Sequence, residues 1–172
     1  MNAGDKKRHS GFTLIELLVA IAMVAILATM AVPSFQGMMI RNQLTTDFNQ
    51  VLTGIHYARS EAIKSRKPVT VVMTSGADGD GWKLEVWEGD GSTAVSCPTD
   101  AGCWKVMNEN DSAVNVSVTT GSGSGKVTFN QLGRASSSCP LGTPCSISLE
   151  HENLTGSPET LNINALGNIT RP

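Results

Sequence analysis

The chain carries no excess of charge of either sign: 13 lysines and arginines stand against 15 aspartates and glutamates in 172 residues, a formal net charge of −2. A nucleic acid or an anionic membrane surface held by bulk positive charge is therefore not an expected partner. Charged residues make up 16% of the chain and aromatic residues only 5%. The sequence lacks a phosphate-binding glycine loop, a Ser or Cys nucleophile at motif spacing from His56 or His151, and a carboxylate pair specific enough to name a reaction. An enzyme is not expected, and no cofactor is implied. The calcium-like stretch Asp78-Gly79-Asp80-Gly81 has Trp82 at its fifth position and a glycine that arrives too early, so it reads as a hairpin turn. No internal repeat is evident, and the length suits one globular unit.

What the chain does have is a sharply asymmetric N-terminus. From Leu14 to Val32 the nineteen residues contain only two polar members, Glu16 and Thr29. Counted from Phe12, a helix of this length at about 1.5 Å per residue matches the roughly 30 Å hydrocarbon core of a bilayer. The run is apolar on every face, so a single span is expected. Lys6, Lys7 and Arg8 precede it and the next basic residue is Arg41, which places the N-terminus in the cytoplasm and the rest outside. A cleaved secretory signal would have a shorter core and an A-x-A type site, whereas this run ends in Val32-Pro33-Ser34-Phe35. A plain membrane anchor is the other simple alternative.

Beyond Pro33 the pattern becomes amphipathic. Ile40, Leu44, Phe48, Val51, Leu52, Ile55, Ala58, Ala62 and Ile63 recur at spacings of three and four, which predicts a helix with one buried face. Arg59 and Glu61 fall outside this stripe, Glu61 and Lys64 form an i,i+3 pair, and Pro68 marks the stop. Helix is thus expected from about residue 12 to about residue 66, with Pro33 and Gly37 as its weak points. After Pro68 the period changes to two. Segments 69–74, 82–87, 114–118, 126–129, 146–149 and 160–163 read as strands of an antiparallel sheet, one face of which covers the helix. The Gly121–Gly125 stretch between two of them reads as a hairpin loop. The fold class is α+β.

Cys97, Cys103, Cys139 and Cys145 form two C-x5-C pairs in the part expected to be exported, where disulfides form readily. Three connectivities are possible, and the two local bridges are favoured because each pair encloses a loop containing proline. Zinc is the alternative, but C-x2-C spacing is missing.

The segment Ser10-Gly11-Phe12-Thr13-Leu14-Ile15-Glu16-Leu17, behind a basic leader and ahead of the apolar helix, resembles the leader junction of type IV pilins and type II secretion pseudopilins. The resemblance implies cleavage between Gly11 and Phe12 by a prepilin peptidase, methylation of the new Phe12 amine, and assembly through Glu16, whose charge a neighbouring subunit's Phe12 amine would neutralise. An acid in lipid costs about 2.5–3.5 kcal/mol, so Glu16 requires some such partner. The stretch Tyr57 to Val71, with its Arg59-Ser60-Glu61-Ala62-Ile63-Lys64 core, narrows the resemblance to the GspH/FimT/FimU branch, as does Gly133-Arg134 after the strand Val127–Phe129.

The implied organisation is a cleaved leader at 1–11, an assembly and membrane helix at 12–33, an amphipathic helix at 34–66 and a periplasmic or extracellular β domain at 67–172. The implied function is a minor pilin or pseudopilin that starts or caps a filament. Its expected partners are other minor and major pilins or pseudopilins, the prepilin peptidase and the inner-membrane assembly platform. The alternative is a FimT-like receptor for DNA, with Arg134 and Arg171 as its contacts. Residues 67–172 hold six basic and eleven acidic side chains, and the Gly-Arg-x-Arg expected of such receptors has become Gly167-Asn168-Ile169-Thr170-Arg171, so the structural reading ranks first.

Overall fold

In the computed structural model, residues 12–75, 81–93, 97–109, 113–120, 125–135, 137–154, 156 and 158–172 are described, apart from the Pro33 side chain. Gly11, Asp78–Asp80 and 121–124 lie outside them. A single helix, α1, covers Leu14–Ser65 and is continuous in its backbone across Pro33 and Gly37. Thr13 caps it: its hydroxyl accepts the Glu16 amide at 3.3 Å, and its carbonyl accepts the Leu17 amide at 3.2 Å. Arg66 ends it with φ +56°, a left-handed position usually held by glycine.

The chain divides into two compact units, residues 1–39 and 40–172. In the first, the large apolar side chains are exposed, from Phe12 just ahead of the helix at 83% to Val19 at 49%. In the second, the stripe does what its spacing predicts: Leu44, Phe48, Val51, Ile55, Ala58 and Ala62, four and three residues apart, are all buried. Ile63 departs from the expectation and is half exposed, because it lies one residue past the seam that Ala62 fills. Gly54 lets the helix approach the next layer closely, since a Cβ there would lie 2.8 Å from Leu84 Cδ1.

Eight strands follow: β1 (Val69–Ser75), β2 (Trp82–Glu88), β3 (Cys103–Glu109), β4 (Val114–Thr119), β5 (Lys126–Phe129), β6 (Cys145–His151), β7 (Glu159–Ile163) and β8 (Ile169–Thr170). They form two antiparallel four-stranded sheets rather than the one expected, in the orders β3-β2-β1-β5 and β4-β6-β7-β8. β1 and β2 form the expected hairpin, with Ser75 opposite Trp82. β4 and β5 do not pair: β5 lies along β1 and β4 along β6, so the glycine-serine stretch joins two sheets. β3 gave no period-two signal because it is an edge strand with six of its seven residues half-buried, beyond a register shift at Val86/Trp87.

One apolar core unites residues of α1 and both sheets, including Val71, Leu84, Phe129, Ile147, Leu149 and Leu161. The sheets are also tied by the side chain of Ser75. Ser75 Oγ donates to the Val116 carbonyl at 2.7 Å and accepts the Val116 amide at 3.1 Å, taking the place of a strand ladder between β1 and β4.

Candidate assembly surfaces

The first surface is the N-terminal half of α1. Glu16 stands in its first turn, where the unpaired amides and the positive end of the helix dipole favour an acid, so its own helix offsets part of its cost in lipid. Every other residue from Leu14 to Val32 is uncharged, and the helix is long and apolar enough to cross a membrane. An exposed apolar surface of this extent needs lipid or protein around it. Of the predicted processing residues, Phe12 is exposed at the start of this surface, while Gly11 lies outside the described residues.

The second surface is built by a repeat that the sequence hides by its brevity. Asn130-Gln131-Leu132-Gly133-Arg134 follows β5, and Asn164-Ala165-Leu166-Gly167-Asn168 follows β7. The two fold identically. In the first, Asn130 Oδ1 accepts the amides of Leu132 (2.9 Å) and Arg134 (3.0 Å), and the Gly133 amide donates to the Asn130 carbonyl at 2.8 Å. In the second, Asn164 Oδ1 accepts the amides of Leu166 and Asn168, both at 3.0 Å, and the Gly167 amide donates to the Asn164 carbonyl at 2.8 Å. Each asparagine is thus the local donor trap that this residue supplies in turns. Gly133 and Gly167 have φ of +70° and +77°.

These turns pack against each other and on α1. The Ala135 amide donates to the Ala165 carbonyl at 3.1 Å. A Cβ on Gly167 would strike the Gly133 carbonyl oxygen, and one on Gly133 would lie 2.7 Å from Ile63 Cδ1. Arg59, outside the apolar stripe, is half-buried and donates through Nε to the Gly133 carbonyl at 3.1 Å. The leucine before each glycine is left exposed, Leu132 at 70% and Leu166 at 53%. Pro68 shares a surface depression with Asn130, Gln131 and Leu132.

The two arginines of the DNA-receptor alternative are treated differently by the fold. Arg171 is ion-paired with Glu159 and its guanidinium lies 4.8 Å from the centre of the Phe48 ring. Arg134 sits in the turn held by Arg59, eleven residues along α1 from Phe48, so the two contacts are separated by about 16 Å of helix.

Cys97 is bonded to Cys103 and Cys139 to Cys145, each pair six residues apart in sequence. The second bridge is fully buried at the start of β6, and the first ties a loop to the edge strand β3. His56 is exposed on α1, whereas His151 is buried at the end of β6 with Nδ1 accepting the Asn153 amide at 3.1 Å. The predicted Glu61–Lys64 pair is present at 3.3 Å. In the loop after β2, hydrogen bonds from Ser92 hold the Asp90 carboxyl below the usual carboxylate range.

A long helix, apolar and exposed in its first half and covered by antiparallel sheets in its second, defines a pilin-type subunit. The crystal structure of the type IV minor pilin FimU from Pseudomonas aeruginosa shares this fold, with a TM-score of 0.55 and 19% identity over 77% of this chain and 90% of that one. Residues 47–167 match the family Type II transport protein GspH, and residues 6–32 match the prokaryotic N-terminal methylation motif. The chain belongs to the GspH family. Among curated relatives, fimbrial protein EcpC of Eikenella corrodens is 46% identical over 44 residues, and a fimbrial protein of Pseudomonas aeruginosa is 35% identical over 68. The matches cover 26% and 40% of this chain, and 29% and 44% of those relatives.

Proposed function

We propose that this chain is a minor subunit that enters the inner membrane through residues 12–33 with its N-terminus in the cytoplasm, loses residues 1–11, and then joins a type IV pilus or type II secretion pseudopilus, where it starts or caps the filament. The observation that carries this reading is the exposed helix Leu14–Val32, uncharged except for Glu16, within the N-terminal methylation motif. In a monomer only lipid can cover that surface; in a filament the helices of other subunits can. Prepilin peptidase would cut between Gly11 and Phe12, the Phe12 amine would be methylated, and the Glu16 carboxylate would meet the amine of an adjacent subunit. The assembly platform would move the subunit from membrane to filament.

Mass spectrometry of the chain from sheared filaments of its native host tests the whole sequence of events. A mature N-terminus at methylated Phe12 is expected; a chain beginning at Met1, or cut after Val32, would refute it. Glu16→Ala should leave membrane insertion intact, because an acid is removed from lipid, while lowering recovery in filaments. Recovery equal to the parent chain would show that the Glu16 charge has no partner there.

A further inference from the structure

The twin turns lie at one end of the second unit, and the charge of that unit is divided. Arg59, Lys64, Arg66, Lys67 and Arg134 cluster at or beside the turns and the last two helical turns of α1, opposed there by Glu61, Glu88 and Asp90. Two of these acids are already engaged, Glu61 with Lys64 at 3.3 Å and Glu88 with Lys67 at 2.5 Å. The remainder of residues 40–172 carries five basic and ten acidic side chains. The β6–β7 pair shows the division directly. At one end Cys145 faces Ile163, and the chain runs on into the second turn; at the other end Leu149 faces Glu159, with Glu150 and Glu152 exposed beside it. About 13 Å of strand separates the two ends.

We infer that the surface formed by Leu132, Leu166, Ile63 and Arg134 docks the acidic strand end of a neighbouring pilin-type subunit, of which Glu150, Glu152 and Glu159 in this chain are an example. This rests on the filament reading above and names the contact within it. The matched turns present two leucines on a rigid base, fixed by the Gly133–Gly167 contact and the Arg59 bond, so little conformational entropy is lost when they are covered. The basic surroundings select an acidic partner and set its orientation. A contact between unlike ends is heterologous and can repeat along a filament without closing.

The test places a photo-crosslinking phenylalanine analogue at Leu132 or Leu166 of the full chain in its native host, with a third probe at exposed Thr45. Adducts from the two turn positions should map to glutamates or aspartates in the β domain of another pilin-type subunit. The double change Arg66→Glu and Arg134→Glu should lower their yield by about fivefold or more, and Arg134→Lys should not. Filament recovery of the chain is read in parallel. Adducts to lipid or nucleic acid, or a yield indifferent to charge reversal, in cells whose filaments still contain the chain, would overturn the docking contact alone. Loss of the chain from filaments in every probe strain and in the unmodified parent would overturn the filament reading itself.

Discussion

Arg59 and the two glycines beneath it form a joint in which each part depends on the others. Gly167 needs its missing side chain twice, for φ +77° and for contact with the Gly133 carbonyl. Gly167→Ala should therefore cost about 2–4 kcal/mol, combining left-handed backbone strain with overpacking against a backbone atom that has no alternative rotamer. The adjoining exposed Leu166→Ala should stay within about 0.5 kcal/mol. Urea denaturation of the two variants checks the contrast. Arg59→Ala removes a charged donor from a carbonyl and should cost about 1.5–3 kcal/mol. The helical spacing carried none of this, because it only put Arg59 outside the apolar stripe. Spacing reports position relative to the core, whereas Arg59 is called inward by a carbonyl 74 residues away.

At the level of elements, α1 ends where sequence placed it but by an unexpected residue. Arg66 holds the left-handed terminal position, so Arg66→Gly should raise stability by up to about 1 kcal/mol, seen as a higher thermal midpoint. The two disulfides should differ in their response to reductant. Cys97–Cys103 is half-exposed and should be reduced and alkylated first, loosening β3, while the buried Cys139–Cys145 should persist until the core opens. Timed alkylation with peptide mapping gives the order. Six strands were readable because each alternates buried and half-buried or exposed residues or ends at a Gly or Pro turn. β3 was hidden by its uniform partial burial, and β8 by having two residues. Which strands join which sheet was not readable at all: β1 pairs with β5 across more than fifty residues, and periodicity carries no information about pairing at that range.

For the whole molecule, every core residue among the described ones lies at Leu44 or beyond. A chain beginning at Ile40 should therefore keep a cooperative thermal transition and its far-ultraviolet sheet signal, and should remain soluble where the longer chain requires detergent. Loss of cooperativity would show that the first unit stabilises the second. The apolar half of α1 was the most legible part of the sequence, because an unbroken apolar run stands out by composition alone, whereas the twin turns obey a five-residue rule too short to stand out from chance. Their likeness lies in three hydrogen bonds made by the same atoms in both turns.

The Ser75 bridge has a mechanical consequence. Under tension, sliding of the two sheets past each other must break the paired bonds that one hydroxyl makes to Val116, besides disturbing the shared apolar core. Such a clamp loads both bonds together rather than unzipping them in turn. The side chain acts as a rivet, so pulling with an optical trap should show Ser75→Ala yielding at lower force than the parent, with the strand ladders inside each sheet still intact.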